Sequence, residues 1–314
     1  MTDRPEPYAD TWVVVPTYNE AENVEGISRA ILERLPGARV LIVDDASPDG
    51  TGVLADELAA RDPQVAVHHR ARKVGLGRAY IDGFRLALAG GAARVVQMDA
   101  DWSHAPEYLP GIVDALGGPG RPGGADLVIG SRYVAGGGVR DWGFLRRLVS
   151  RGGSLFARIV LGLGPHDLTG GFKAWRRELL ARVPWDRVHS GGYVFQIETT
   201  YMASRMGARV IEVPIVFSDR RVGVSKMSKR IIGEALMVVL RLRWDELRGR
   251  GPVRSMTLAA AEVPDPPGSS TASSLTAPAA GAASSAPAAG RASPASAVSP
   301  AAAPSVDPPA AGAS

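Results

Sequence analysis

The 314-residue chain contains no cysteine, which excludes disulfides, thiolate nucleophiles and cysteine-held zinc. Histidine is scarce and badly placed for a metal. His68 and His69 are adjacent, which in a strand puts them on opposite faces, and His104, His166 and His189 share no ligand spacing. Long apolar runs are missing too. No stretch reaches the roughly 20 apolar residues that span a bilayer, and the first ten residues lack the apolar centre of a signal peptide. A cytosolic location is therefore expected. No internal repeat of fixed period is present.

What remains is a large α/β-sized domain and a tail. A hydrophobic content of 45% is ample for a buried core in a chain of this length. From about Ser255 the sequence collapses into alanine, proline, serine and glycine. Such a segment lacks the large apolar side chains that offset chain-ordering entropy, so disorder is expected. The expected layout is an N-terminal arm over 1–10, a folded domain over 11–250 and a disordered tail over 251–314. The stretch after Ser255 holds one basic residue, Arg291, and three acids, Glu262, Asp265 and Asp307. Removing these from 36 basic and 32 acidic residues leaves 35 against 29, a charge of +6. A basic surface suits nucleic acid, anionic lipid or phosphorylated ligands, and net charge does not choose among them.

The most informative feature is Asp99-Ala100-Asp101, which closes the apolar run Arg94-Val95-Val96-Gln97-Met98. In an extended strand residues i and i+2 share a face, so both carboxylates reach one hard cation. Magnesium or manganese held against a diphosphate suits such a pair, because a hard ion takes oxygen ligands and neutralises charge on a leaving group. The same pair argues against a nucleic acid partner, since carboxylates repel a phosphate backbone unless a metal intervenes. Two further strands end in polar loops: Trp12 to Val15 runs into Pro16-Thr17-Tyr18-Asn19-Glu20, and Val40 to Val43 into Asp44-Asp45-Ala46-Ser47. Val24, Ile27, Ile31 and Leu35 follow the first at helical spacing. In an open parallel sheet ligands bind at the carboxyl ends of strands, so the three loops are expected to meet in one crevice. Gly75-Leu76-Gly77 lacks the third glycine of a dinucleotide fingerprint, and close loop packing is its plainer account.

These segments, with Gly130-Ser131-Arg132-Tyr133, Asp167-Leu168-Thr169-Gly170-Gly171-Phe172-Lys173, Gly192-Tyr193-Val194-Phe195-Gln196-Ile197-Glu198 and Arg220-Arg221-Val222-Gly223-Val224-Ser225-Lys226, resemble family 2 glycosyltransferases. Within that family they are most similar to polyprenol (dolichol) phosphate mannose synthases. The resemblance covers roughly residues 10 to 245. It implies a GT-A (Rossmann-like) α/β fold with a mostly parallel central sheet and helices on both faces. It also implies inverting transfer of mannose from GDP-mannose to a polyprenyl phosphate, with Mg2+ or Mn2+. The alternative is a polyprenyl phosphate glucosyltransferase or another family 2 enzyme, many of which carry two transmembrane helices that this chain lacks.

By the same resemblance Pro16, Tyr18 and Glu20 form the first donor loop, Val43 and Asp45 meet the guanosine, and Asp99, Ala100 and Asp101 hold metal and diphosphate. Gln196 contacts the donor. Arg132, Arg220 and Lys226 hold the phosphates, with Arg146 or Arg147 as further helpers for the acceptor phosphate. Some relatives carry glutamine as a third metal contact where this chain has Ser103. Asp44 has a simpler reading as a turn acid, and Trp102, Trp142, Trp175 and Trp185 read as packing residues, with Trp102 close to the acidic pair. Met227 to Trp244 has an apolar body with cations at both ends. It reads either as a basic helix lying on an anionic membrane or as a terminal helix packed on the sheet. A peripheral membrane enzyme is expected, with a separate membrane-anchoring protein as a conceivable partner.

Overall fold

The computed structural model describes residues 6–116, 124–188, 190–218 and 229–251, with side chains at 229–232 excepted. All of them belong to the first of two compact units, Met1–Pro267. The second unit, Gly268–Ser314, and the tail expected to be disordered lie outside the described residues beyond 251.

Among the described residues nine strands and eight α-helices follow in the order β1 (Thr11–Thr17), α1 (Val24–Arg34), β2 (Arg39–Asp44), α2 (Thr51–Arg61), β3 (Val65–His69), α3 (Leu76–Ala89), β4 (Arg94–Gln97), α4 (Leu109–Ala115), β5 (Leu127–Ser131), β6 (Gly138–Val139), α5 (Phe144–Leu161), β7 (Lys173–Arg176), α6 (Arg177–Arg182), α7 (Gly192–Arg205), β8 (Val210–Pro214), β9 (Val216–Phe217) and α8 (Lys229–Leu247). Seven strands form one sheet in the order β3-β2-β1-β4-β7-β5-β8, and β6 pairs with β9 apart from it. Within the large sheet only β7 runs antiparallel to its neighbours.

Strand β1 explains why the sheet is covered on both sides. Its residues are all buried, as expected where helices lie on both faces of a parallel sheet. Val13 and Val15 join a core with Val24, Ile27 and Ile31 of α1 and Ile112 and Val113 of α4. Trp12 and Val14 face the other way, into a core with Tyr80 and Phe84 of α3 and Phe195 of α7. Helix α3 lies so close that a Cβ at Gly83 would stand 2.3 Å from Val14 Cγ1, so any larger residue there would force the helix off the sheet. A third, smaller core joins Ala157 and Leu161 of α5, Ile197 and Tyr201 of α7, and Val239 of α8.

The described part of the expected N-terminal arm is tied down. Arg94 Nε donates to Asp10 Oδ1 at 2.9 Å and its Nη2 to the Pro7 carbonyl at 3.0 Å, while Tyr8 packs on the first core. Among the described residues no helix is long and apolar enough to cross a membrane.

Candidate active site

The site lies where the strand order reverses. Strands β2 and β3 lie on one side of β1 and β4 on the other, so the loops leaving β1 and β4 part and open a crevice at the carboxyl edge. That crevice is a cavity of about 470 Å³. Pro16, Tyr18, Glu20, Asp45, Asp99, Ala100, Asp101, Arg132, Arg146 and Gln196 all line it. Most of the residues singled out in the sequence are therefore brought together.

Four are not. The Val43 side chain is fully buried in the second core, beneath Gly83, so guanosine contact by that side chain is corrected to a packing role. Arg147 is exposed on α5 and does not line the cavity. Arg220 and Lys226 lie outside the described residues.

The acidic pair occupies the cavity by a different route from the one expected. Strand β4 stops at Gln97, where pairing with β1 and β7 ends. The Gln97 amide is anchored sideways: Nε2 donates to the Gly171 carbonyl and to Gln196 Oε1, both at 2.8 Å, and Oε1 accepts from Trp175 Nε1. Asp99 and Asp101 then ride an irregular loop in which Trp102 has φ of +63°. That conformation aims the Trp102 ring at Gly26 and the first core rather than at the cavity.

Around the pair the loop is tightly held. Tyr80 Oη donates to Asp99 Oδ1 at 2.8 Å, and the Ser103 N–H donates to Asp101 Oδ1 at 3.1 Å. Burial, with the Asp99 charge and hydrogen bond, holds the Tyr80 phenol well above its usual pKa, so it stays a donor. The Asp99 N–H donates to His104 Nδ1 at 3.2 Å. An accepting Nδ1 leaves the proton of the neutral ring on Nε2, and burial lowers the His104 pKa, which favours that neutral form. Ser103 Oγ is buried against the cavity and finds no hydrogen-bond partner among the described residues.

These donors suit a hard divalent ion. Two carboxylates and an unpaired hydroxyl offer oxygen only, and no group of three His, Asp or Glu capable of holding a metal occurs among the described residues. An ion there would complete its shell with water and phosphate oxygens, which is the habit of magnesium. Gly171 leaves room for the ligand: a Cβ there would stand 3.4 to 3.6 Å from His104 Cε1, Gln196 Nε2 and Asp99 Oδ2.

Another wall of the cavity is organised by Asp45. Its carboxylate pairs with Arg70 and accepts the Val74 and Gly75 N–H groups at 3.1 and 3.0 Å. Gly75 has φ of +110°, which side chains rarely adopt, whereas a Cβ at Gly77 would stand 2.9 Å from the Phe195 ring and 3.0 Å from the Ser190 carbonyl, so close packing accounts for Gly77 and backbone conformation for Gly75. Asp44 is the turn acid it was read as, accepting from Thr17 Oγ1 and the Ser47 N–H at 3.1 Å each. The sequence reading missed Lys73, whose Nζ stands 3.3 Å above the Tyr18 ring, both lining the cavity. Its run of cations, Arg70-Ala71-Arg72-Lys73, was the only signal.

Arg132 lines the cavity with its charge already paired. Its Nε and Nη2 donate to the two Asp167 carboxylate oxygens at 2.7 and 2.6 Å, and Nη2 also to Thr169 Oγ1 at 2.7 Å. Both partners are buried. Burial alone would lower the arginine pKa and raise that of the acid, but each charge holds the other ionised. Arg132 thus forms a neutralised wall of the cavity. Trp142, read as packing, stands in that wall as well, with the Arg146 guanidinium stacked on it at 4.1 Å.

Beneath the site sits a buried lysine. Lys173 Nζ donates to the Gln196 carbonyl at 2.8 Å and to Thr200 Oγ1 at 2.9 Å. Burial depresses its pKa to about 7, opposed only in part by Asp167. Between that value and the ordinary lysine range the unfolded chain binds a proton that the folded one does not, so this residue makes stability rise with pH, by at most about 1.4 kcal/mol per unit. Urea midpoints of the wild type and Lys173→Met are therefore expected to diverge in the wild type's favour from pH 7 to pH 9. Parallel pH profiles would exclude a neutral Lys173.

Comparison with known proteins agrees with this geometry. Residues 12–183 match the family model described as Glycosyl transferase family 2. The chain is 48% identical to polyprenol monophosphomannose synthase of Mycolicibacterium smegmatis over 248 residues, covering 77% of this chain and 92% of that protein. It is 47% identical to undecaprenyl-phosphate mannosyltransferase of Micrococcus luteus over 241 residues, covering 76% and 97%. Glucosyl-3-phosphoglycerate synthase from Mycobacterium tuberculosis, solved with uridine diphosphate, shares the fold at 22% identity and a TM-score of 0.52, over 74% of this chain and 79% of that one.

Proposed function

Since the chain belongs to glycosyl transferase family 2 and has the GT-A fold, we propose that it transfers mannose from GDP-mannose to a polyprenyl phosphate, giving the β-linked lipid monophosphate. Two relatives matched over nearly their full length are a polyprenol monophosphomannose synthase and an undecaprenyl-phosphate mannosyltransferase. The single observation that carries the reading is the convergence of Tyr18, Asp45, Asp99, Asp101 and Gln196 on one cavity at the sheet's switch point.

The chemistry follows from the reactants. A phosphate monoester with a second pKa near 6 is largely dianionic at neutral pH, so the attacking oxygen needs no strong general base. The difficulty is to stabilise the departing diphosphate and to hold two anions together. Asp99 and Asp101 would hold Mg2+ or Mn2+, with Ser103 Oγ beside them, and such an ion supplies charge neutralisation at the leaving diphosphate. Asp45 and the Val74-Gly75 loop it organises, with Tyr18, frame the nucleoside end. Gln196, fixed by Gln97, faces the sugar. Lys73 and Arg146 bring positive charge to the cavity, and Arg220 and Lys226 are assigned to the phosphates on the sequence resemblance alone. Attack from the face opposite the diphosphate inverts the donor's anomeric carbon. The acceptor's lipid makes the enzyme peripheral to a membrane, with or without a separate anchoring protein.

The test is a radiolabel transfer assay with polyprenyl phosphate, each divalent metal, and GDP-mannose, GDP-glucose or UDP-glucose. Organic-soluble product from GDP-mannose alone, abolished by chelation, is expected. Product from UDP-glucose at comparable rate would replace the donor assignment.

A further inference from the structure

Two neighbouring side chains of the sheet converge on one residue of α7. Gln97 of β4 and Lys173 of β7 stand opposite each other across the antiparallel pair, so they share a face. Lys173 Nζ donates to the Gln196 main-chain carbonyl and Gln97 Nε2 to its side-chain Oε1, each at 2.8 Å. Gln97, Lys173 and Trp175 are fully buried, and Gln196 is buried too. A buried amide is costly unless its donors and acceptors are met, and an apolar residue after Val95 and Val96 would continue β4 without that cost. Gln97 meets all its bonds inside the protein; Gln196 does not.

Hydrogen-bond polarity runs one way through these groups. An indole N–H only donates, so the Gln97 atom facing Trp175 Nε1 at 3.1 Å is the oxygen, and a carbonyl only accepts, so the atom facing Gly171 at 2.8 Å is the nitrogen. Both ends agree. The second N–H of that nitrogen requires an oxygen on Gln196, which turns the Gln196 Nε2 the other way. A Cβ at Gly171 would stand 3.5 Å from that nitrogen and 3.6 Å from Asp99 Oδ2, and Gly171, Asp99 and Gln196 all line the cavity. Among the described residues Nε2 makes no hydrogen bond. An amide nitrogen so placed suits an oxygen-rich ligand, because it offers donors only.

We propose that Gln97 is a positioning residue: with Trp175 and Gly171 it locks the Gln196 amide so that its N–H groups, not its oxygen, meet an oxygen of the hexose on the donor, a reading that rests on the sugar-nucleotide donor proposed above. The experiment is calorimetric titration of the full chain with GDP and with GDP-mannose, Mn2+ present throughout, for the wild type, Gln97→Met, Gln196→Met and the double variant. Methionine at 97 keeps the length of the side chain and removes both N–H donors. Each single variant is expected to weaken GDP-mannose binding about tenfold and GDP binding less than about twofold, because only the sugar meets the amide. The double variant should lose no more than either single one, since Gln97 acts through Gln196. Equal losses for GDP and GDP-mannose would overturn the proposal, as would losses that multiply in the double variant, for both mark a general loosening of the site. Should Gln97→Met not fold, Gln97→Glu keeps the shape and the bond from Trp175 but offers at most one of the two N–H donors, and the same loss confined to GDP-mannose is expected. A wild type that takes UDP-glucose in place of GDP-mannose would refute the donor assignment alone, and UDP against UDP-glucose would then decide the role of Gln97 by the same criterion.

Discussion

Asp101→Asn is expected to abolish transfer, lowering turnover by on the order of 10³ or more, while the protein melts as the wild type does. The reasoning separates charge from shape. Asp101 is buried, and its Oδ1 accepts the Ser103 N–H. An asparagine has nearly the same volume and keeps an oxygen to accept that bond, so the loop between β4 and α4 should hold. What is lost is one of two anionic oxygen donors facing the cavity. Removing a single preorganised group that stabilises transition-state charge typically costs about 10²–10³, and a divalent ion bearing the leaving group's charge is a larger contribution than one hydrogen bond. Calorimetric titration with GDP-mannose, with and without Mn2+, supplies the second readout: metal-enhanced donor affinity should be present in the wild type and missing in the variant. Turnover within several-fold of wild type would remove the divalent ion from the mechanism.

The architecture was largely legible because strand and helix patterns alternate and because polar loops follow apolar runs at the right places. Val13 and Val15 against Trp12 and Val14 show why a β1 buried on both faces needs helices on both sides. Strand direction was less legible. No element was read in the segment ending in Lys173, yet it enters β7, the antiparallel strand wedged between β4 and β5; apolar pattern carries no information about polarity. The end of β4 was misplaced by one residue for a similar reason, since Met98 is as apolar as Val96 and only the Gln97 side-chain anchors show where the chain leaves the sheet. At the site, residue types and order brought the acids to the cavity that the structure shows, but partners remote in sequence were invisible. Nothing near Arg132 announces that Asp167, 35 positions on, will neutralise it. Lys73 reaches Tyr18 only because β3 lies beside β2.

The Arg132–Asp167 pair yields the largest stability effect. Arg132→Met is expected to destabilise the fold by about 3–5 kcal/mol, because it leaves a buried carboxylate without its countercharge. The Asp167 carboxylate would keep the residue-132 and Thr169 N–H groups, which satisfy its lone pairs but not its charge. Arg132→Lys should recover little, since an ammonium cannot reproduce the two-pronged contact of Nε and Nη2. The double variant Arg132→Met/Asp167→Leu should be more stable than Arg132→Met, because replacing both members of a buried pair with apolar groups avoids the stranded charge. Acid adds an independent check. Arg132 holds the Asp167 carboxyl below the ordinary aspartate range, so the pair's contribution is present above that range and is lost as pH falls through the lowered value. Guanidinium unfolding of the four proteins at neutral and acid pH measures all of this. A solvated phosphate-gripping arginine would behave oppositely: Arg132→Met would unfold at the wild-type midpoint, Arg132→Lys would restore activity, and the double variant would gain nothing over the single one.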